Sequence, residues 1–130
     1  MPHGEIDLER VLCRLADLAA TGCREFRLGG GDWLLKGFVV AVAGGVRAYV
    51  NRCPHRALSL NLAPDTFLSA DRLVIVCCMH GAIFEKTSGL CVAGPCMGHA
   101  LAQIPVVVMA GIVMLAEEVA VANLVARYAQ

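Results

Sequence analysis

The sequence predicts an all-β fold, an antiparallel sandwich or small barrel, with one short helix near the C-terminus. Three observations predict it. Short apolar runs recur between glycine-bearing turn signals, the pattern of small antiparallel β domains. Apolar residues make up 58% of the 130 residues and charged ones 17%, which suits a packed core and is too apolar for a disordered chain. Only near the end does the period become helical: Val121, Leu124, Val125 and Tyr128 stand at i, i+3, i+4 and i+7.

The elements follow in order. In the first 20 residues Ile6, Leu8, Val11, Leu12, Leu15 and Leu18 partly fit a helical period, while residues 11–15 alternate well enough for a strand. Residues 24–28 read as a short strand between Gly22 and the turn signal Gly29-Gly30-Gly31-Asp32, and Trp33 as core or hairpin packing. That glycine run is no phosphate-binding fingerprint, because no helical pattern follows it. Residues 38–43 and 46–51 form a hairpin about Gly44-Gly45. Residues 73–77 are a buried strand, and residues 82–86 and 90–92 flank Thr87-Ser88-Gly89 as a second hairpin. Residues 104–109 and 112–115 form a third about Ala110-Gly111. Glu117 and Glu118 stand at the front of the terminal helix, expected over about 116–128. Nothing divides the chain, so residues 1–130 are expected to form a single domain.

Lys plus Arg number 11 and Asp plus Glu 11, so the net charge is zero and no footprint for nucleic acid or an anionic membrane appears. The most apolar stretch, residues 104–116, is too short to cross a bilayer and carries Pro105 and Gly111. The N-terminal residues show neither a basic region nor an apolar run of a signal peptide. Seven cysteines is a high and odd number for a disulfide scaffold. A cytoplasmic location is therefore expected, with cysteine serving metal or redox chemistry.

Two clusters of soft and borderline ligands carry that chemistry: Cys53-Pro54-His55 and Cys77-Cys78-Met79-His80. Each follows a predicted strand, so each is expected on a loop at a sheet end. Structural zinc groups like ligands in pairs separated by a wide loop. Here each loop mixes one thiol with one imidazole, which suits a binuclear cluster with both cysteines on one iron and both histidines on the other. Zinc, or unliganded core residues, remain the alternatives on spacing.

These residues resemble the Rieske iron–sulfur proteins, whose pattern is Cys-x-His in one loop and Cys-x-x-His in a second. Gly81-Ala82-Ile83-Phe84, Gly89 and Gly94-Pro95 match downstream, the last pair as the family's third, proline-bearing loop. The resemblance runs over about 49–104, and more loosely over 12–115. It implies one [2Fe-2S] cluster per chain, with Cys53, His55, Cys77 and His80 as ligands and no residue catalysing a bond change. Family spacing favours Cys77 over Cys78. The sequence departs from the pattern at Ala57, where glycine is usual, and residues 61–71 lengthen the connection into an expected surface excursion. Cys13, Cys23 and Cys91 read as small buried hydrophobes, Cys96 as a residue after the third loop that is either inert or touches the cluster environment, and His99 as a loop histidine. Arg52 and Arg56 either steer an acidic redox partner or are simply solvated.

Within the family, no membrane anchor or second iron domain is expected here, and the positions of the loop disulfide hold Leu58 and Met79. The resemblance therefore implies a one-electron carrier of the ferredoxin type, more an electron-transfer component than a catalyst on its own. It would pass electrons from a flavin reductase to an oxygenase or other redox partner. The alternative is a small or regulatory subunit of a larger reductase or oxygenase complex, docked on its catalytic subunit. Ala82 and Phe84 stand where high-potential members carry serine and tyrosine, which implies a low potential within the roughly −150 to +300 mV of Rieske centres.

Overall fold

Strand β1 (Val11–Arg14) lies between two short 3-10 turns, Leu8–Arg10 and Leu15–Leu18. The strand reading of this segment is therefore the right one, and its register against Val113 shifts between Val11 and Cys13. That bulge turns two successive residues, Leu12 and Cys13, into the core. The computed structural model describes residues 8–54, 59–61, 63–78 and 81–129. The remaining strands are β2 (Cys23–Gly30), β3 (Trp33–Val42), β4 (Gly45–Val50), β5 (Val74–Val76), β6 (Ile83–Glu85), β7 (Cys91–Ala93), β8 (Gln103–Ile104), β9 (Val106–Met109) and β10 (Ile112–Leu115). Helix α1 (Val121–Tyr128) closes the order.

The strands form three antiparallel sheets, in the orders β1-β10-β9, β2-β3-β4-β8 and β5-β6-β7. The expected antiparallel β class with a terminal helix is borne out, and no barrel closes among the described residues. The middle sheet is covered on both faces. Leu35 and Val39 of β3 and Ala48 and Val50 of β4 join one core, with Val113, Leu115 and Val125 of the helix. Their neighbours Phe38, Val40 and Tyr49 enter a second core with Ile75, Phe84 and five cysteines. A strand buried on both faces has no polar face, which is why residues 38–40 show no alternation.

Several boundaries differ from expectation. Val42 pairs with Gly45, so the β3–β4 turn is Ala43-Gly44 rather than Gly44-Gly45. The expected strand over residues 104–109 divides at Pro105, which has no N–H for a ladder. Ile104 pairs with Ala48, whereas Val106 pairs with Leu115. Residues 61–71 are more than a surface excursion: Phe67 is fully buried and stacks on Phe38 at 4.1 Å between ring centroids. Trp33 opens β3 but its side chain is exposed. The helix begins at Val121, five residues later than expected, because residues 117–118 form a turn after β10. No helix of the described residues is long and apolar enough to cross a membrane.

Candidate metal centre

Cys53 stands three residues beyond β4, and Cys77 directly follows β5. Their side chains are 2% and 1% exposed and belong to the second core, so the fold brings the two predicted thiol ligands into one packed cluster. His55 and His80, with Arg56, Ala57, Leu58 and Met79, lie outside the described residues. Cys78, the competing register, has an exposed side chain. None of the seven cysteines is in a disulfide.

Backbone and side-chain hydrogen bonds fix the loops. Asn51, directly after β4, is the only buried amide or charged side chain among the described residues. Its Oδ1 accepts the Leu60 amide at 2.8 Å, and its Nδ2 donates to Asn61 Oδ1 at 2.9 Å. Asn61 Nδ2 donates in turn to Glu25 Oε1 on β2 at 2.8 Å. The first loop is thus closed at its base and tied to the middle sheet. The Leu60 carbonyl then accepts the Cys78 amide at 2.9 Å, joining the first loop to the second. Within the second loop the Cys77 amide donates to the Ala82 carbonyl at 2.9 Å and the Gly81 amide to the Cys77 carbonyl at 3.0 Å.

The third loop, residues 94–98, packs against the second. A Cβ on Gly94 would meet Ala82 Cα at 2.8 Å, and its φ of +97° is one that favours glycine. Cys96 turns inward from this loop and is 1% exposed. Its Sγ donates to Cys91 Sγ at 3.1 Å. Burial, then the hydrogen bond with Cys91 and the adjoining sulfurs, pushes the Cys96 thiol up to about 12. Cys13, Cys23 and Cys91 are buried, as expected. His99 is exposed in the loop, as expected. Arg52 is not simply solvated: its Nη2 donates to the Tyr128 carbonyl at 2.8 Å, at the negative end of the helix. Asn51 escaped sequence reasoning; a lone asparagine following an apolar strand was the available signal.

Two buried, unbridged thiols on hydrogen-bonded loops are the soft donor set that iron–sulfur chemistry requires. A family model, the Rieske [2Fe-2S] domain, matches residues 9–120. The chain belongs to the Rieske [2Fe-2S] domain family. This Rieske domain binds one [2Fe-2S] cluster. Among solved structures it is similar to the ferredoxin of carbazole 1,9a-dioxygenase from Nocardioides aromaticivorans IC177. The TM-score is 0.62 at 26% identity, over 82% of this chain and 94% of that one. A chain in a complex of reduced oxygenase and oxidized ferredoxin of carbazole 1,9a-dioxygenase matches with TM-score 0.63 at 25% identity, over 82% and 99%. The Sphingomonas yanoikuyae B1 ferredoxin shares the fold, with TM-score 0.64 at 24% identity over 82% and 96%. No curated protein matches this Rieske chain in sequence.

Proposed function

We propose that this Rieske protein is a soluble, cytoplasmic one-electron carrier that takes electrons from a flavin reductase and delivers them to an oxygenase component. The observation that carries the reading is the match along 94% of a dioxygenase ferredoxin. The same fold spans only 30% of the terminal oxygenase of carbazole 1,9a-dioxygenase from Novosphingobium sp. KA1. The proposed domain takes in residues 1–130, with its cluster-binding part over about 49–104. Cys53 and Cys77 are the proposed ligands of the inner iron, and His55 and His80 of the outer one. When bound, the cluster supplies reversible one-electron chemistry. The protein's own part is to bury both thiols, to exclude water from them and to hold the loops in one geometry while the charge changes. A reducing compartment fits seven cysteines without a disulfide.

A low potential is also proposed. Ala82 and Phe84 are fully buried at the second loop and carry no hydroxyl to donate toward a sulfur. Purified holoprotein is expected to show a low average g value on reduction and a midpoint near the bottom of the roughly −150 to +300 mV Rieske range. It is expected to be reduced by a flavin reductase and reoxidised by an oxygenase in stopped flow. A midpoint above about +100 mV overturns the low-potential reading. Obligate co-purification with a large catalytic chain, without exchange, overturns the carrier reading in favour of a subunit.

A further inference from the structure

Strand β9 ends the sheet β1-β10-β9, and the hydrogen-bond alternation says which of its groups face outward. The Ala116 amide donates to the Pro105 carbonyl at 3.0 Å, while Leu115 stands opposite Val106, Met114 opposite Val107 and Ile112 opposite Met109. Bonded and non-bonded pairs alternate in an antiparallel ladder, so Pro105, Val107 and Met109 turn their backbone groups to β10. Val106 and Val108 each turn an N–H and a carbonyl outward, where no protein group meets them among the described residues. Pro105 does not blunt this edge, because the N–H it lacks would point at β10. The other sheet edges carry devices against pairing. β1 has a bulge and Arg14, and β2 has Arg24, Glu25 and Arg27. β5 is bridged by Leu68, β7 is covered where the Cys91 amide meets the His99 carbonyl, and β8 is only two residues long. β9 has none of these: residues 106–109 are Val-Val-Val-Met in unbroken register, and the last three are 41%, 44% and 51% exposed.

We propose that β9 is an interface through which two copies of this chain pair edge to edge, joining their three-stranded sheets into one. The occupant is a second copy because the edge is complementary to itself. With Val107 on the two-fold axis, the Val106 N–H donates to the Val108 carbonyl of the second copy, and the Val108 N–H to its Val106 carbonyl. Symmetry doubles these two bonds to four, and every outward donor and acceptor of both strands is then used. An uncharged strand offers nothing to select a different protein. The chain's 11 basic and 11 acidic residues leave two copies without net repulsion. Side chains follow the same symmetry: Val107 meets its own copy, Met109 meets Pro105 of the second copy, and Ile112 and Met114 continue that apolar face on β10. Val113 and Leu115 of this sheet belong to the first core, across the middle sheet from Cys53 and Cys77, so the pairing does not depend on the reading of the cluster ligands. A four-residue edge buries less than the roughly 1,200 Å² of a standard interface, so the dimer is weak, with a Kd expected between about 10 µM and about 1 mM.

The test is sedimentation velocity of the holoprotein across that concentration range, with hydrogen exchange read at single amides. Monomer is expected to pass to dimer, and exchange at Val106 and Val108 to slow as the concentration rises. Val108→Pro removes an N–H that makes no bond to β10, and with it two of the four intermolecular bonds. Its Kd is expected to rise about tenfold or more, with the cluster spectrum unchanged. Val107→Lys and Val107→Glu each place like charges face to face on the axis and are expected to be monomeric, whereas their equimolar mixture is expected to dimerise again. These two variants change an exposed side chain and decide the matter if Val108→Pro does not fold. A monomer at every concentration overturns the proposal, and so does a dimer that Val107→Lys leaves intact. Protection of Val106 and Val108 that is independent of concentration means that the chain covers its own edge. Protection gained only on adding an oxygenase component means a different partner, and either result overturns the pairing of two copies.

Discussion

Asn51 has one acceptor and one donor end, and the loop uses both. Truncation in Asn51→Ala leaves the Leu60 amide buried without its 2.8 Å partner. An orphaned buried donor costs about 1–3 kcal/mol, so denaturant titration is expected to show a loss of about 2 kcal/mol. The same change frees the base of the first loop, and iron content per chain is expected to fall with it. Cys77 and Cys78 separate the two registers of the second loop. Cys77→Ser replaces a buried thiol by a hard hydroxyl and is expected to abolish cluster incorporation. Cys78→Ser changes an exposed side chain and leaves the backbone bond to Leu60 intact, so full loading is expected. Loading in Cys77→Ser with loss in Cys78→Ser reverses the register.

At the scale of elements, the centre depends on how the loops after β4, β5 and β7 meet. The second and third touch through Gly94, where a methyl group would enter the Ala82 backbone at 2.8 Å. Gly94→Ala also strains a residue at φ +97°, so a loss of about 1–3 kcal/mol is expected from thermal or denaturant unfolding. The third loop must lift from the second to admit the methyl group, and faster loss of iron to a chelator checks this. A wild-type loss rate means that the two loops do not support each other. The helix is placed in a similar way: Val125 packs into the first core, and the Tyr128 carbonyl receives Arg52 from the first loop. The chain end and the metal-binding loop are thereby connected.

Across the whole molecule, burial keeps several weak acids neutral in the fold. The Cys13 thiol is pushed up to about 11, chiefly by burial and then by the charge of Asp17. The Tyr49 phenol is pushed up to about 12 by burial, while its hydroxyl donates to the Lys86 carbonyl at 2.6 Å. Burial raises Cys23 as well. A group whose folded pKa is raised contributes stability that is fully present below its unfolded pKa. That contribution is lost as pH climbs through the folded value. For Cys13 the window runs from 9.0 to about 11, and for Tyr49 from 10.0 to about 12. The denaturation midpoint is expected to be level from pH 7 to about 9 and to fall steadily above it. A midpoint level through pH 11 contradicts neutral burial of these groups.

Local chemistry made much of this Rieske protein legible without a structure. Ala110 and Gly111 both take positive φ, 53° and 77°, so the β9–β10 turn needs no distant contact to be read. The spacing of Cys53 and Cys77 within their loops is likewise a local property, and the fold buries both in one core. The helical period of Val121 to Tyr128 is local too, although its start is set by the turn at residues 117–118, where the Val119 amide donates to the Ala116 carbonyl at 3.0 Å. What remained hidden depends on partners far away in the chain. The first 20 residues partly fit a helical period while residues 11–15 alternate as a strand does, and pairing with β10, about 100 residues on, selects the strand over residues 11–14. Phe67 reads as part of a loop until Phe38 supplies the surface it stacks on. Asn51 becomes a loop closure only when Leu60 and Asn61 return to it. Cys96 becomes a partner of Cys91 only when the 91–99 turn folds its thiol inward, 3.1 Å from the Cys91 sulfur. A sequence shows what each residue offers its near neighbours; which groups lose water together is decided by the packed fold, where each unpaired polar atom or empty space carries its cost.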